Sequence, residues 1–167
     1  MSHPCILRVA GKADIDTLST LAQVIWQATY PGIISDEQIR FMLSRGYSHD
    51  AIRLAMQRQH WYLLVGNAHA AIGFMATAVQ TNGRETWVYV SKLYLLPGRQ
   101  RQGLGQQMLN EASHWAQTHG MATLKLNVNR GNPAYYFYLK QGFTVEREVD
   151  IPHHGYVLND YLMRKVL

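Results

Sequence analysis

The sequence predicts an α+β fold in a single domain that spans residues 1–167. Its length suits one domain with its own hydrophobic core, and 47% of its residues are apolar. Segments with the period of amphipathic helices alternate with short apolar runs that are typical of strands. No repeat, low-complexity segment or linker interrupts this pattern, so one domain is the simplest prediction.

The N-terminal half of the chain predicts four strands and three helical segments. The strands are predicted at residues 5–9, 61–65, 70–79 and 85–96. The first helix begins near Ala13, the second runs from Ser35 to Leu43 and the third from Ser48 to Gln59. In the first helix, one face carries Leu18, Leu21, Ala22 and Ile25. Asn82-Gly83 separates the last two strands, and this pair is a strong hairpin signal because both residues tolerate the positive φ of a tight turn.

The C-terminal half predicts two helices and three strands. A long helix runs to about His119, and a short helix is capped by Asn132, has Pro133 at its first position and ends at Gly142. The strands are predicted at residues 122–129, 143–149 and 156–165. The inward face of the long helix is predicted to carry Leu104, Met108, Ala112, Trp115 and Ala116.

The most informative segment lies between the strand at residues 87–96 and the long helix. It reads Gln100-Arg101-Gln102-Gly103-Leu104-Gly105 and follows a Pro97-Gly98 turn. Glycines after a strand let the backbone approach a phosphate closely, and the first N–H groups of the following helix lack partners within it. Three interpretations compete: a dinucleotide-binding fold, a nucleoside-triphosphate loop and a coenzyme A pyrophosphate site.

The sequence argues against the first two interpretations. A dinucleotide fingerprint requires a third Gly or Ala where Met108 stands, and an acidic residue about 20 positions later. Residues 124–129 contain no such acid. A triphosphate loop ends in Gly-Lys-Ser or Gly-Lys-Thr, and neither occurs in the chain. The glycine pair alone is a weak signal, so the assignment depends on the residues that follow.

Residues further along supply that context. A strand ends at Asn129, Asn132-Pro133 opens a short helix, and Tyr138 stands four residues before Gly142-Phe143. Together with Gln100-x-x-Gly103-x-Gly105, these residues make the chain resemble the GCN5-related N-acetyltransferase (GNAT) superfamily, whose members transfer acetyl groups from acetyl-CoA to amines. The resemblance covers about residues 87–167. It implies a mostly antiparallel central sheet of about seven strands flanked by about four helices.

The resemblance implies acetyl-CoA as co-substrate and no metal. The N–H groups across residues 101–106 would hold the pyrophosphate at the positive end of the helix dipole, and the backbone of Leu93–Leu95 would pair with the pantetheine arm. Asn132 would contact the same arm, although many relatives place this Asn one position earlier. The implied cofactor contacts are Leu93, Tyr94, Leu95, Gln100, Arg101, Gln102, Gly103, Leu104, Gly105, Gln106, Asn132 and Tyr138.

The resemblance also implies direct attack of the amine on the thioester in a ternary complex. The N–H of Leu95 would stabilise the oxyanion, and the phenol of Tyr138 would protonate the departing thiolate. Lys92, the charged residue in the strand at 87–96, is a poor candidate for the general base. The base stays open, with ordered water as the default. The side chains that could replace water are Glu85, Asp150, His153 and His154.

The sequence does not identify the acceptor. In the GNAT superfamily, acceptor specificity comes from segments that correspond here to Tyr30–Tyr47 and Asp150–Val157. The first contains Asp36 and Glu37 and the second Asp150, which would suit a cationic polyamine. Another small amine or a peptide amino group fits equally. The alternative from another functional class is a non-catalytic module that senses acyl-CoA.

Composition limits the remaining partners and the location. The net charge of +5 suits an anionic cofactor, but the basic residues are scattered, so no nucleic-acid partner is predicted. No apolar run reaches the roughly 20 residues of a membrane span, and Met1–Ile6 shows no export signal. The single Cys5 excludes an internal disulfide, and these features together predict a cytoplasmic protein. The oligomeric state stays open, a homodimer included.

Overall fold

The computed structural model of the chain describes residues 5–167. Met1–Pro4, which belong to the segment on which the expectation about export rests, lie outside the described residues. The helices are α1 Ile15–Thr29, α2 Asp36–Tyr47, α3 His49–Ala55, α4 Leu104–Thr118 and α5 Ala134–Lys140. The strands are β1 Ile6–Val9, β2 His60–Val65, β3 Ala71–Thr81, β4 Thr86–Leu95, β5 Thr123–Asn129, β6 Thr144–His153 and β7 Tyr156–Val166.

The strands form one seven-stranded mixed sheet in the order β1-β2-β3-β4-β5-β7-β6. The pairs β1–β2, β2–β3, β5–β7 and β6–β7 are antiparallel, whereas β4 and β5 run parallel. A parallel pair needs a long crossover connection, and the segment between the two strands contains helix α4. This architecture confirms the predicted α+β fold with seven strands. The described chain has five α-helices where about four were expected.

The pairing of β4 with β5 is short. It covers only Val88–Leu124 and Tyr89–Lys125, although β4 continues to Leu95 and β5 to Asn129. Past Tyr89, residues 5–167 offer β4 no partner strand on its β5 side. Backbone N–H and C=O groups normally pair in a sheet, so this end of β4 presents groups that an extended ligand could use.

The backbone packs into two compact units. Unit 1 comprises the residues up to Ala78 together with Lys92–Met108. Its core is built on α1, α2, α3, β2 and β3, and the largest fully buried side chains there include Leu18, Ile25, Ile52, Trp61 and Phe74. The predicted inward face of α1 is confirmed by the burial of Leu18, Leu21, Ala22 and Ile25.

Unit 2 comprises Val79–Ser91 and Leu109–Leu167. Its fully buried side chains include Leu109, Leu124, Phe143 and Met163. Four of the five residues predicted on the inward face of α4 are buried, and the fifth, Trp115, is half-buried and stacks on His119 with ring centroids 4.0 Å apart. That the chain folds as a single domain stays a prediction.

Helix boundaries follow the capping residues that the sequence offers. The hydroxyl of Ser35 accepts a hydrogen bond from the N–H of Gln38 at the start of α2, and the hydroxyl of Ser48 accepts one from Ala51 at the start of α3. Helix α2 runs to Tyr47, beyond the end expected at Leu43. The third helix is shorter than the predicted range of Ser48 to Gln59, since α3 ends at Ala55 in the structure.

Strand β3 approaches β4 closely at Gly73, within unit 1. A Cβ atom at this position would lie 2.6 Å from the carbonyl oxygen of Tyr94 and 2.8 Å from Cδ2 of Leu95. Both distances are shorter than non-bonded atoms adopt, and one of the two atoms belongs to the backbone. The absence of a side chain at Gly73 therefore allows the short distance between β3 and the end of β4.

We expect Gly73→Ala to lower the free energy of unfolding by about 1–3 kcal/mol, because the added methyl group overpacks the site. Chemical denaturation measures this value. Gly46→Ala is the control, since its Cβ would meet nothing within 4 Å in helix α2; it should be neutral or stabilising by about 0.5–1 kcal/mol. Equal stability of wild type and Gly73→Ala would contradict the close approach.

Candidate active site

The loop between β4 and α4, in unit 1, has the backbone of an anion-binding turn. Arg101 and Gly103 both adopt left-handed conformations, with φ of 62° and 77°. The carbonyl oxygen of Gly103 accepts the N–H of Gln107 at 3.0 Å, so Gly103 precedes the first turn of α4. The N–H groups of the next three residues therefore have no partner within the helix. They carry the positive end of its dipole, where an anion is stabilised.

Among the contacts predicted in β4, the side chain of Tyr94 packs against the core of unit 1, whereas Leu93 and Leu95 are half-buried. The hydroxyl of Tyr94 lies 3.0 Å from that of Tyr30, and its ring contacts Phe74 at a centroid distance of 5.5 Å. The N–H of Leu96 donates to Ile72 at 2.9 Å. Packing thus holds the side chain of Tyr94, and the cofactor contact predicted for Leu93–Leu95 is a contact of the backbone.

Tyr138 is a buried residue of α5, in unit 2. Its side chain is 8% exposed, and its ring meets Phe143 edge-on at 5.7 Å. The N–H of Phe143 donates to the carbonyl oxygen of Tyr138 at 3.1 Å. The Gly142-Phe143 pair thus folds back on the end of α5 and fixes the position of Tyr138.

Asn132 supports the start of α5, one residue away from its predicted position. The helix begins at Ala134 with Pro133 as its N-cap, whereas the sequence predicted Asn132 as cap and Pro133 as first residue. The side-chain oxygen of Asn132 nevertheless accepts the N–H of Ala134 at 2.9 Å. The capping bond is present, but Asn132 makes it from one position further out.

Two of the four side chains considered as a base are held in their ionised form. Glu85 accepts hydrogen bonds from Thr123 at 2.9 Å and Arg164 at 2.8 Å, and these contacts lower its pKa, the Thr123 bond most. Asp150 accepts from Asn159 and Arg130, which lower its pKa in that order. A carboxylate with a lowered pKa binds a proton weakly, so both are poor bases.

The two histidines considered as a base lie at the β6–β7 turn. His153 ends β6, and His154 follows it in a left-handed conformation with φ of 50°. Their rings meet edge-on with centroids 4.7 Å apart. This geometry places them side by side at the tip of the hairpin and assigns no catalytic task to either.

The ammonium group of Lys92, in unit 1, is buried beside two aromatic rings, which the sequence did not reveal. Its ammonium nitrogen lies 5.3 Å from the ring centroids of both Tyr47 and Trp61. Burial lowers the pKa of Lys92 to about 8. The two aromatic faces offset part of the desolvation cost through cation–π attraction.

A groove of about 540 Å³ lies on the polar face of the sheet within unit 2. Its walls include Trp87, Tyr89, Lys125, Asn127, Glu146 and Leu162. Lys125 is buried, and its ammonium group contacts Glu85 at 3.5 Å, Glu146 at 3.3 Å and the Trp87 ring at 4.2 Å. The sequence did not predict this groove, because its residues come together only through the register of strands that are far apart in the chain.

Comparison with known proteins identifies the family. A family model described as an acetyltransferase (GNAT) domain matches residues 57–145. The chain belongs to the GNAT acetyltransferase family. Spermidine N(1)-acetyltransferase of Thermoplasma acidophilum is 30% identical over 146 residues, which cover 84% of the GNAT chain and 88% of that protein.

Solved structures agree with this assignment. PaiA N-acetyltransferase of Thermoplasma acidophilum, in complex with coenzyme A, superposes with a TM-score of 0.82 at 26% identity, covering 99% of the GNAT chain and 100% of that one. The ribosomal-protein-S18-alanine N-acetyltransferase of Escherichia coli shares the fold, with a TM-score of 0.71 at 18% identity over 98% and 94% of the two chains. The predicted superfamily is confirmed, and the protein is an N-acetyltransferase.

Two other features of the described part of the chain bear on its chemistry and location. Residues 5–167 contain no group of three or more His, Cys, Asp or Glu side chains arranged to hold a metal ion. Over the same residues, no helix combines the length and the apolar character that crossing a membrane requires.

The environment of Lys92 predicts a pH-dependent stability. Its pKa is about 8 in the folded chain and 10.5 in the reference state, so between these values the unfolded chain binds more protons and stability rises with pH. From pH 7 to pH 10, wild type should gain about 2 kcal/mol relative to Lys92→Met. Urea unfolding at both pH values measures the difference. Lys12→Met, at an exposed position, should show no such change, and a flat difference for Lys92→Met would refute the effect.

Proposed function

We propose that this GNAT protein transfers the acetyl group of acetyl-CoA to a primary amine by direct attack in a ternary complex. The proposal rests on an arrangement of three features that follow one another along unit 1. The end of β4 has no partner strand on its β5 side, a left-handed turn comes next, and the first N–H groups of α4 have no partner within the helix. An extended ligand with a diphosphate at one end is complementary to that order.

Coenzyme A has this shape. Its pantetheine arm would pair with the backbone of Leu93–Leu95, and its pyrophosphate would accept hydrogen bonds from the amides of Leu104, Gly105 and Gln106. Gln100, Arg101, Gln102 and Gly103 form the preceding turn, and Arg101 would add a charge-assisted contact to a phosphate oxygen. Asn132 would reach the pantetheine arm.

The chemical step would use one backbone and one side-chain group. The amine nitrogen attacks the thioester carbon, and the N–H of Leu95 stabilises the oxyanion that develops. Collapse of this intermediate breaks the carbon–sulfur bond, and the Tyr138 phenol gives its proton to the thiolate. The paired states of Glu85 and Asp150 support ordered water as the acceptor of the ammonium proton.

The acceptor remains a proposal. The name of the relative from Thermoplasma acidophilum makes a polyamine the first acceptor to test. In the segments expected to select the acceptor, Asp36 and Glu37 are exposed in the first turn of α2, and Asp150 pairs with Arg130 at 2.6 Å. None of these arrangements restricts the acceptor to a polyamine, so other small amines and peptide amino groups belong in the same test.

The release of coenzyme A with an amine panel tests the proposal. The panel contains spermidine, a simple alkylamine and a peptide with a free amino terminus. We expect turnover with at least one member. Acetyl-CoA binding without turnover across the panel would instead favour the acyl-CoA sensor. We also propose a cytoplasmic location without a nucleic-acid or membrane partner, and a homodimer is the first oligomer to examine.

Tyr138→Phe should lower kcat by about 100-fold, the lower end of the range for general acid catalysis. The Kd for acetyl-CoA should stay within about twofold, because the ring and its packing on Phe143 are kept. Steady-state kinetics and a binding titration measure the two constants. Tyr136→Phe is the matched control, since its side chain is 65% exposed two residues away. An unchanged kcat would remove Tyr138 as the acid.

Gly103→Val should weaken acetyl-CoA binding at least tenfold, because it adds a side chain beside the amides that would hold the pyrophosphate. Gly98→Val is the control for backbone strain, since Gly98 has a similar φ of 81° but lies before the helix amides. Isothermal titration calorimetry measures both affinities. Equal affinities for the two variants would show that the loss reflects strain and not crowding of the phosphates.

A further inference from the structure

The ammonium group of Lys92 is a buried positive charge without a counter-ion. Its nitrogen lies 5.3 Å from the ring centroids of both Tyr47 and Trp61, within unit 1. Among residues 5–167, no carboxylate forms an ion pair with it. The two rings attract the ammonium group but carry no net charge. The positive charge of Lys92 is therefore not neutralised by a neighbour.

The acidic residues in the described part of unit 1 have other surroundings. Three of them contact basic side chains, in the pairs Asp14–Arg8, Asp16–His49 and Asp50–Arg53. The others, Asp36 and Glu37, are exposed at the start of α2, where solvent and salt screen their charge. None of these carboxylates compensates Lys92.

A second lysine on an aromatic ring shows the usual arrangement. Lys125, in unit 2, lies 4.2 Å from the Trp87 ring, and it also contacts Glu85 at 3.5 Å and Glu146 at 3.3 Å. Lysines are almost never fully buried unless they are paired. Buried charges with perturbed properties cluster at functional sites, where the chemistry uses them. The missing counter-ion of Lys92 therefore indicates a role that needs its charge.

Lys92 lies three residues before Leu95 on β4. The N–H of Leu96 donates to the carbonyl oxygen of Ile72, on β3, and neighbouring backbone groups of a strand point in opposite directions. The N–H of Leu95 therefore points away from β3, as the proposed oxyanion contact requires. At about 3.3 Å per residue, Lys92 is roughly 10 Å from Leu95 along the strand. A buried charge acts over this distance, because the interior screens it less than water does.

In the proposed reaction, a positive charge at Lys92 has two opposite effects. It opposes the binding of an ammonium ion, and it lowers the pKa of that ion once the ion is bound. It also stabilises the negative charge that develops on the oxyanion during transfer. The charge would thus weaken binding of the amine and accelerate the chemical step.

We propose that Lys92 provides a fixed positive charge that favours the neutral, reactive form of the acceptor amine and the developing oxyanion. Lys92 acts through its field and exchanges no proton with the substrate. The inference rests on the proposed function and adds a substrate preference to it. An amine with one positive charge is preferred over a polyamine, because each further ammonium group is repelled as well.

The first test measures the steady-state kinetics of Lys92→Met with the panel amine that wild type acetylates fastest. At pH 7 a pKa of about 8 keeps most of Lys92 charged in wild type. We expect kcat to fall about three- to tenfold and the KM for the amine to fall about threefold, as a single charge at this distance allows. A general loss of structure would lower kcat and raise KM. An unchanged or raised KM would overturn the inference.

Two further variants separate the charge of Lys92 from its shape. Lys92→Arg keeps the charge, so both constants should stay within about twofold of wild type. Lys92→Gln is neutral, so it should reproduce the constants of Lys92→Met, and it decides the outcome alone if the larger Arg side chain prevents folding. Lys12→Met, at an exposed position, removes an equal charge and should match wild type. A Gln variant like wild type, or an Arg variant like Lys92→Met, would overturn the inference.

A binding measurement distinguishes this inference from the proposed function. If wild type acetylates no member of the panel, the proposed function fails. In either case, calorimetry with coenzyme A present measures the affinities of spermidine and of the simple alkylamine. Lys92→Met should bind both amines more tightly than wild type, and spermidine by the larger factor, whereas Lys12→Met should not. No measurable binding, no gain in affinity, or an equal gain for the two amines would overturn the inference.

Discussion

The early end of the pairing between β4 and β5 is the constraint on which the proposed chemistry depends. Buried backbone groups must find partners, and the pairs Val88–Leu124 and Tyr89–Lys125 supply them only at the start of β4. The other side of β4 is supported by β3. Gly73 has no side chain, so β3 can lie close to the β4 backbone, and the N–H of Leu96 donates to the carbonyl oxygen of Ile72. The end of the strand is therefore supported on one side and open on the other, as a binding site for an extended chain requires.

Charge compensation dominates the polar face of unit 2. Glu85 joins Thr123, Lys125 and Arg164, and Glu146 contacts Lys125 from β6. Removing one member would leave a partly buried charge without its partner, so this network favours structural roles for its carboxylates. The consequence for mechanism is that the strongest acids near the groove are committed to cations. Water can carry a proton from the substrate without disturbing that arrangement.

Much of the fold followed from local patterns, whereas the groove did not. Three features depend on only a few neighbouring residues and could be predicted from the sequence: the apolar period of α1, the serine caps and the turn at Asn82-Gly83. The groove depends on the register of the sheet, because Tyr89, Asn127 and Leu162 come from strands far apart in the chain. Lys92 was judged a poor candidate for the base, and its lowered pKa comes from tertiary surroundings that the sequence did not reveal. Asn132 differs by one position, within the usual uncertainty of helix ends.

Tyr89, in the wall of the groove, does not supply the general base that the proposed mechanism requires. Burial, with a smaller effect of Asp160, raises the pKa of Tyr89 to about 12, above the value of about 10 of an alkylammonium. The phenol is therefore neutral at the pH where an alkylammonium loses its proton, and a neutral phenol does not take up that proton. Glu85 and Asp150 are each held by a cationic side chain. Ordered water is therefore the acceptor of the ammonium proton that the proposed mechanism uses.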